Sequence, residues 1–113
     1  MRWYIHSKIH KATVTEADIN YVGSITIDED LIERTGLHEG ERVLVTSNSS
    51  GARLETYVIR GQRNSGVICM NGAAAHLIKQ GEEIIIMGFE LSDVPVKPTM
   101  ILVDKDNKFV QYL

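Results

Sequence analysis

The sequence predicts a mainly β protein, a small closed β-barrel carrying short helices. Three observations lead there. Short apolar and β-branched runs recur at residues 2–9, 12–15, 21–27, 42–47, 53–60, 67–70, 83–89 and 99–103, each of strand length and composition. Turn-forming stretches such as SNSSG, GQRNSG, KQGE and DKDN separate them. One segment, 29–35, has both helix start and stop signals. Strands this short protect their edges best when the sheet closes on itself.

The elements follow in order. Residues 2–9 and 12–15 open the chain as strands. The third run, NYVGSITID, is interrupted by Gly23-Ser24, and glycine inside a strand weakens it or marks a bulge. Helix 29–35 takes Asp28 as N-cap, Glu29 and Asp30 in its first turn, and Gly36 just past its end. A weaker helical turn covers 73–78. LHEGERVLV at 37–45 is echoed by IKQGEEIII at 78–86, with Gly40 answering to Gly81. The echo means either two similar halves around one core or the reuse of the same residue types by unrelated helix–turn–strand units.

Composition narrows the function. A chain of 113 residues with 43% hydrophobic content is read as one domain, 1–113. Twelve basic and 15 acidic residues are well mixed, for a net charge of -3. No basic stripe tracks a phosphate backbone, which argues against nucleic acid. The longest apolar stretch, IIIMGF, is too short to span a membrane. The N-terminus MRWYIHSKIHK lacks signal-peptide character. The single cysteine, Cys69, lies in apolar GVICMN and reads as a buried thiol. A cytoplasmic protein is expected. His6, His10, His38 and His76 are scattered, so no metal site is expected. P-loop, dinucleotide and G-x-S-x-G signatures are absent.

Two stretches carry unusual chemistry. NGAAAH at 71–76 joins a tight turn to three alanines, whose bare backbone N–H groups suit an anion; it also reads as an ordinary turn into a helix. RLETY at 53–57 places Arg53, Glu55 and Tyr57 on one strand face and Leu54 and Thr56 on the other. Facing into a barrel, Arg53 and Tyr57 would fork a carboxylate and donate a proton; facing out, they would be a solvated surface.

The order of K-I-H near residue 10, Y-V-G-S, R-L-E-T-Y and N-G-A-A-A-H resembles the bacterial aspartate 1-decarboxylase family, from Lys8 to about Phe89. The resemblance implies a six-stranded double-psi β-barrel and a homotetramer with active sites between subunits. It implies a proenzyme that cleaves itself between Gly23 and Ser24 into 1–23 and 24–113. It also implies a pyruvoyl group made from Ser24, with neither pyridoxal phosphate nor metal. Some members need an accessory maturation protein. The substrate implied is L-aspartate, and the product, β-alanine, feeds pantothenate and coenzyme A synthesis.

The chemistry accounts for the residue types. A serine hydroxyl can attack the preceding carbonyl, form an ester and then leave by elimination. The glycine would expose the carbonyl and permit a strained backbone. The resulting carbonyl forms a Schiff base with the substrate amine and serves as an electron sink. By resemblance, Tyr57 donates the proton after CO2 leaves, as phenols are protonated at neutral pH. Thr56, Gly72, Ala73 and Ala74 bind substrate, and Thr56 also polarises the Gly23 carbonyl. Arg53 and Lys8 meet substrate carboxylates. Asn71, His10 and Tyr21 support the cleavage site. Thr56 and Tyr57 face opposite sides of one strand, which an intersubunit site would reconcile. Two rivals stay open: a pyruvoyl enzyme acting on another amino acid such as glutamate, and a non-catalytic β-barrel.

Overall fold

The computed structural model describes residues 1–113. Its elements are β1 (Arg2–Thr13), β2 (Glu16–Asp18), β3 (Ser24–Asp28), α1 (Glu29–Thr35), β4 (Arg42–Ser47), β5 (Arg53–Gly61), β6 (Ile68–Asn71), α2 (Ala74–Leu77), β7 (Glu83–Ser92), β8 (Thr99–Val103) and β9 (Phe109–Tyr112). The strands lie in the order β2-β6-β3-β5-β4-β7-β1-β8-β9.

Strands β1 and β2 are two halves of one path, parted only by Val14 and Thr15. These two residues bond to opposite ends of the sheet. The Val14 N–H donates to the Glu82 carbonyl at 3.0 Å, and the Thr15 N–H donates to the Ile68 carbonyl at 2.8 Å. Chain continuity therefore returns the sheet upon itself. The β1–β2 path with β6, β3, β5, β4 and β7 makes six staves, and β8 and β9 extend the sheet from β1. The parallel pairs β3/β5 and β2/β6 sit in an otherwise antiparallel ring, the six-stranded double-psi β-barrel. Inside lies one cluster of apolar side chains, among them Ile9, Ile25, Ile27, Val45, Val58, Met70 and Ile86, contributed alternately along the strands.

The echo in the sequence has a physical counterpart. Gly40 and Gly81 both adopt left-handed backbone, at φ 86° and 89°. The Gly40 N–H donates to the Val58 carbonyl and the Gly81 N–H to the Val14 carbonyl, both at 2.8 Å. The Val58 N–H returns to Glu41 and the Val14 N–H to Glu82, both at 3.0 Å. The two turns thus hold Val58 and Val14 with the same pair of backbone hydrogen bonds.

Helix α1 matches expectation at both ends. Asp28 accepts from the Asp30 N–H at 2.9 Å, and Gly36 caps the far end in the left-handed region. The Asp28 carboxylate also accepts from Asn64 and Gly66 N–H groups, so one side chain caps the helix and pins the loop between β5 and β6. The strand pattern differs from expectation chiefly in four places. The run expected at 12–15 ends at Thr13, and β2 forms beyond it at Glu16–Asp18. The run at 21–27 begins only at Ser24, because 19–23 forms the covering turn. The gap expected at 10–11 is a bulge within β1: Lys11 takes φ 65° and the register shifts between Ile9 and Ala12. Strand β9 was not foreseen. It forms because Asn107, fully buried, bonds Thr13 in both directions and also reaches the Gly66 carbonyl.

The paired turns generate a test. An added Cβ at Gly40 or Gly81 would meet no atom within 4 Å, so alanine there costs backbone conformation alone, about 1–2 kcal/mol. Gly40→Ala and Gly81→Ala should lower the denaturation midpoint by similar amounts. A large loss at one and none at the other would show that the two turns are not equivalent.

Candidate active site

Strand β3 starts at Ser24, whose partner across the antiparallel ladder is Asn71, the last residue of β6. Ile25 and Ile27 point into the core, so Ser24 and Thr26 point away from it. Ser24 nevertheless has no exposed surface. Its hydroxyl donates to the Val22 carbonyl at 3.0 Å. The Asn71 amide donates from Nδ2 to Ser24 Oγ and to Thr26 Oγ1, both at 2.9 Å. Asn71 Oδ1 in turn accepts from the Cys69 thiol at 3.0 Å. Burial, helped by Glu16 and Asp18, pushes that thiol up to about 11, so Cys69 is the protonated buried thiol that its apolar setting predicts.

The turn before Ser24 is held from the side. The Asp18 carbonyl accepts from the Gly72 N–H at 2.7 Å, and its carboxylate accepts from the Asn20 N–H at 2.9 Å. Gly72 sits at φ 68°, and a Cβ there would come within 2.7 Å of Gly23 Cα and 3.1 Å of the Tyr21 carbonyl. Gly72 is therefore required both for its backbone and for its close approach to the turn before Ser24. The strain expected at Gly23 is not there: its φ is not positive, and a Cβ would meet nothing within 4 Å. The conformational demand has moved across the contact to Gly72.

The alanine stretch is less bare than its sequence suggests. Helix α2 has only four residues, and the N–H groups of Ala75 and His76 already donate to the Gly72 and Ala73 carbonyls. Ala73 is exposed and Ala74 half-buried, both beside the Gly72 contact. Tyr21 has an exposed side chain and meets Gly72 through its carbonyl.

Tyr57 reaches the site by register. In the parallel pair β3/β5, Ile25 lies beside Val58, and one step back on both strands are Ser24 and Tyr57. Of the two faces left open for Arg53 and Tyr57, the structure shows the outward one: Arg53, Glu55 and Tyr57 are exposed, while Leu54, Thr56 and Val58 turn inward. Strand alternation around Val58, which is fully buried, dictates this. Glu55 is occupied by an ion pair with Arg42; Arg53 forms none. Thr56 pairs with Val43 across β4 and makes no hydrogen bond to Gly23, so its expected role at that carbonyl has no counterpart within one chain. Arg53 lies about 13 Å from Tyr57 along the strand, at 3.3 Å per residue. Lys8 and His10 stand on β1, beyond β4 and β7 in the sheet order. Burial and repulsion from Lys8 and Lys11 lower the His10 pKa, opposed by Glu83, and its buried Nδ1 has no partner.

One chain thus brings together Gly23, Ser24, Asn71, Gly72 and Tyr57, and leaves Arg53, Lys8 and His10 apart. Thr26 and the contact role of Cys69 were missed. Their signal was present: Ser24/Thr26 and Cys69/Asn71 each have the two-residue spacing of one strand face.

The chain is similar to known proteins over its full length. The family model described as aspartate decarboxylase matches residues 1–110, so the likeness extends past Phe89. A relative from Bacillus pumilus named aspartate 1-decarboxylase is 50% identical, covering 99% of this chain and 91% of that one. Relatives of the same name from Caldicellulosiruptor bescii and Neisseria meningitidis are 51% and 50% identical, each covering 95% of this chain and 87% of theirs. A solved structure of the computationally designed protein msDPBB_sym2 is similar at TM-score 0.47 and 17% identity, covering 77% of this chain and 99% of that one. With its serine at the mouth of β3 and a family match from end to end, the chain belongs to the aspartate decarboxylase family.

Proposed function

We propose that this chain decarboxylates L-aspartate to β-alanine and CO2, using a pyruvoyl group made from its own Ser24. The observation that carries the proposal is the Ser24–Asn71 pair, placed directly after an exposed turn. Ser24 is the first residue of its ladder, so breaking the bond before it costs no strand pairing. Residues 1–23 stay anchored, since β1 pairs with β7 and β8, and β2 with β6.

The residues suit self-cleavage. The Ser24 hydroxyl oxygen adds to the Gly23 carbonyl carbon, the C–N bond breaks, and the proton passes to the freed amine. Loss of the Cα proton then expels Gly23 as a carboxylate. Water replaces the nitrogen, and ammonia leaves. Asn71 Nδ2 donates to the Ser24 oxygen and holds it in place as it gives up its proton; the charge of the tetrahedral adduct then falls on the Gly23 carbonyl oxygen. Once formed, the carbonyl supplies the electron sink that an amino acid needs in order to lose CO2. Tyr57, one register step from Ser24, is the group to hold and deliver the proton to the substrate carbon. Gly72 lets the Asn71–Ala74 backbone approach the same place.

Arg53 and Lys8 lie outside this cluster in one chain. Both lack an ion-pair partner, and a dianionic substrate calls for cations. Their separation supports a homotetramer in which one subunit's Arg53 and Lys8 complete a neighbour's site. No helix is long and apolar enough to cross a membrane, which supports a cytoplasmic enzyme. By resemblance, the β-alanine serves pantothenate synthesis.

Intact-mass measurement under denaturing conditions should find fragments 1–23 and 24–113, which co-purify under native conditions. Ser24→Ala should leave one chain with no decarboxylation. An active Ser24→Ala protein would end the proposal.

Tyr57→Phe separates the two reactions. It should cleave at the wild-type rate yet decarboxylate aspartate about 10²–10⁴ times more slowly, the usual loss for a positioned acid. Its half-exposed ring leaves the core untouched. Wild-type decarboxylation by Tyr57→Phe would assign the proton to another donor.

A further inference from the structure

We propose that Cys69 is a positioning residue for self-cleavage: its thiol, donating to Asn71 Oδ1, fixes the amide so that both Nδ2 hydrogens face Ser24 and Thr26. The inference rests on the reading of Ser24 as the self-cleaving residue and extends it to a side chain that touches no reacting atom.

The argument is one of donors and acceptors. Asn71 is almost fully buried, and its amide has three partners: Ser24 Oγ, Thr26 Oγ1 and Cys69 Sγ. A hydroxyl both donates and accepts, so Ser24 and Thr26 would accommodate the amide either way round. A thiol is a donor and only a weak acceptor, so Cys69 accommodates one orientation. The thiol lies 3.0 Å from Asn71 Oδ1 and 3.9 Å from the Met70 carbonyl, with the Glu16 carboxylate a further acceptor nearby.

At rest, Ser24 also helps to orient the amide, because its proton is engaged by the Val22 carbonyl. That help ends when the reaction begins. To attack Gly23, the hydroxyl must leave Val22 and give up its proton. The thiol is then the fixed donor that keeps an N–H, rather than Oδ1, turned toward the Ser24 oxygen while it loses its proton. Burial, helped by Glu16 and Asp18 beside Cys69 and Asn71 on β2, raises the thiol pKa further above neutral, so it stays a donor.

Two matched pairs test this in the full-length protein. Cys69→Ser and Cys69→Thr retain a donor for Asn71 Oδ1 but, as hydroxyls, also accept, so they hold the amide less strictly than the thiol does; Cys69→Ala and Cys69→Val have nearly the same respective shapes with neither. Cleavage of fresh precursor is followed by intact mass, with thermal melts to identify the pairs that fold. Within either folded pair, the donor-bearing variant should cleave about five- to tenfold faster, the worth of one net hydrogen bond. Equal rates within a folded pair overturn the role of Cys69 while leaving self-cleavage standing. A wild-type chain that never cleaves removes the parent reading and this one with it.

Discussion

The structure depends on two residues, Val14 and Thr15, bonding in opposite directions. Val14 accepts from Gly81 and donates to Glu82 on the β7 side. Thr15 meets Ile68 through its N–H and exchanges side-chain hydrogen bonds with the same residue. The first set ties the path to the strand after one repeat turn, and the second ties it to β6. Without the switch, β2 would not reach β6, and the sheet would have two open edges near the core. Consequences run outward from there. Asp18, at the end of β2, holds Gly72; Gly72 presses on Gly23; and Gly23 fixes where Ser24 enters its ladder. A closure made for stability thereby positions the bond before Ser24, the one proposed to break.

Much of this was legible in the sequence. Helix α1 could be read to its ends because Asp28 and Gly36 act locally, through a side-chain cap and a left-handed glycine. The repeat was legible because Gly40-Glu41 and Gly81-Glu82 solve the same turn with the same residues. The fold class followed from short strands between strong turns. What escaped was set by distant partners. β9 depends on Asn107 meeting Thr13 and Gly66, contacts that no local pattern announces. The run at 21–27 read as one strand because its composition is right, but the Asp18–Gly72 contact draws 19–23 into a turn.

The candidate site divides in the same way. Ser24 and Tyr57 were identifiable by motif, and register places them side by side. Alternation along RLETY correctly separated Thr56 from Tyr57, but alternation cannot say which face is inside. Val58 decides it: its place in the core turns Arg53, Glu55 and Tyr57 outward. Gly23 drew attention as the unusual glycine, whereas the steric need lies at Gly72. A sequence marks where a glycine is; only the packing shows which of two touching glycines could not be anything else.

These features explain why the serine stands at a strand mouth rather than mid-strand, as its sequence first suggests. A bond broken inside a ladder would free two strand ends and their hydrogen bonds, each exposing backbone groups that must find new partners. A bond in a free loop would break without such cost, but nothing would hold the hydroxyl or exclude water. At the start of β3, the pairing with Asn71 fixes the downstream side of the bond, and the Gly72 contact steadies the upstream side. Ser24, proposed to react, is fully buried, and Gly23, the residue it would release, is exposed. The boundary therefore satisfies both requirements at once, a rigid nucleophile and a dispensable link, and leaves the new chain end beside Tyr57.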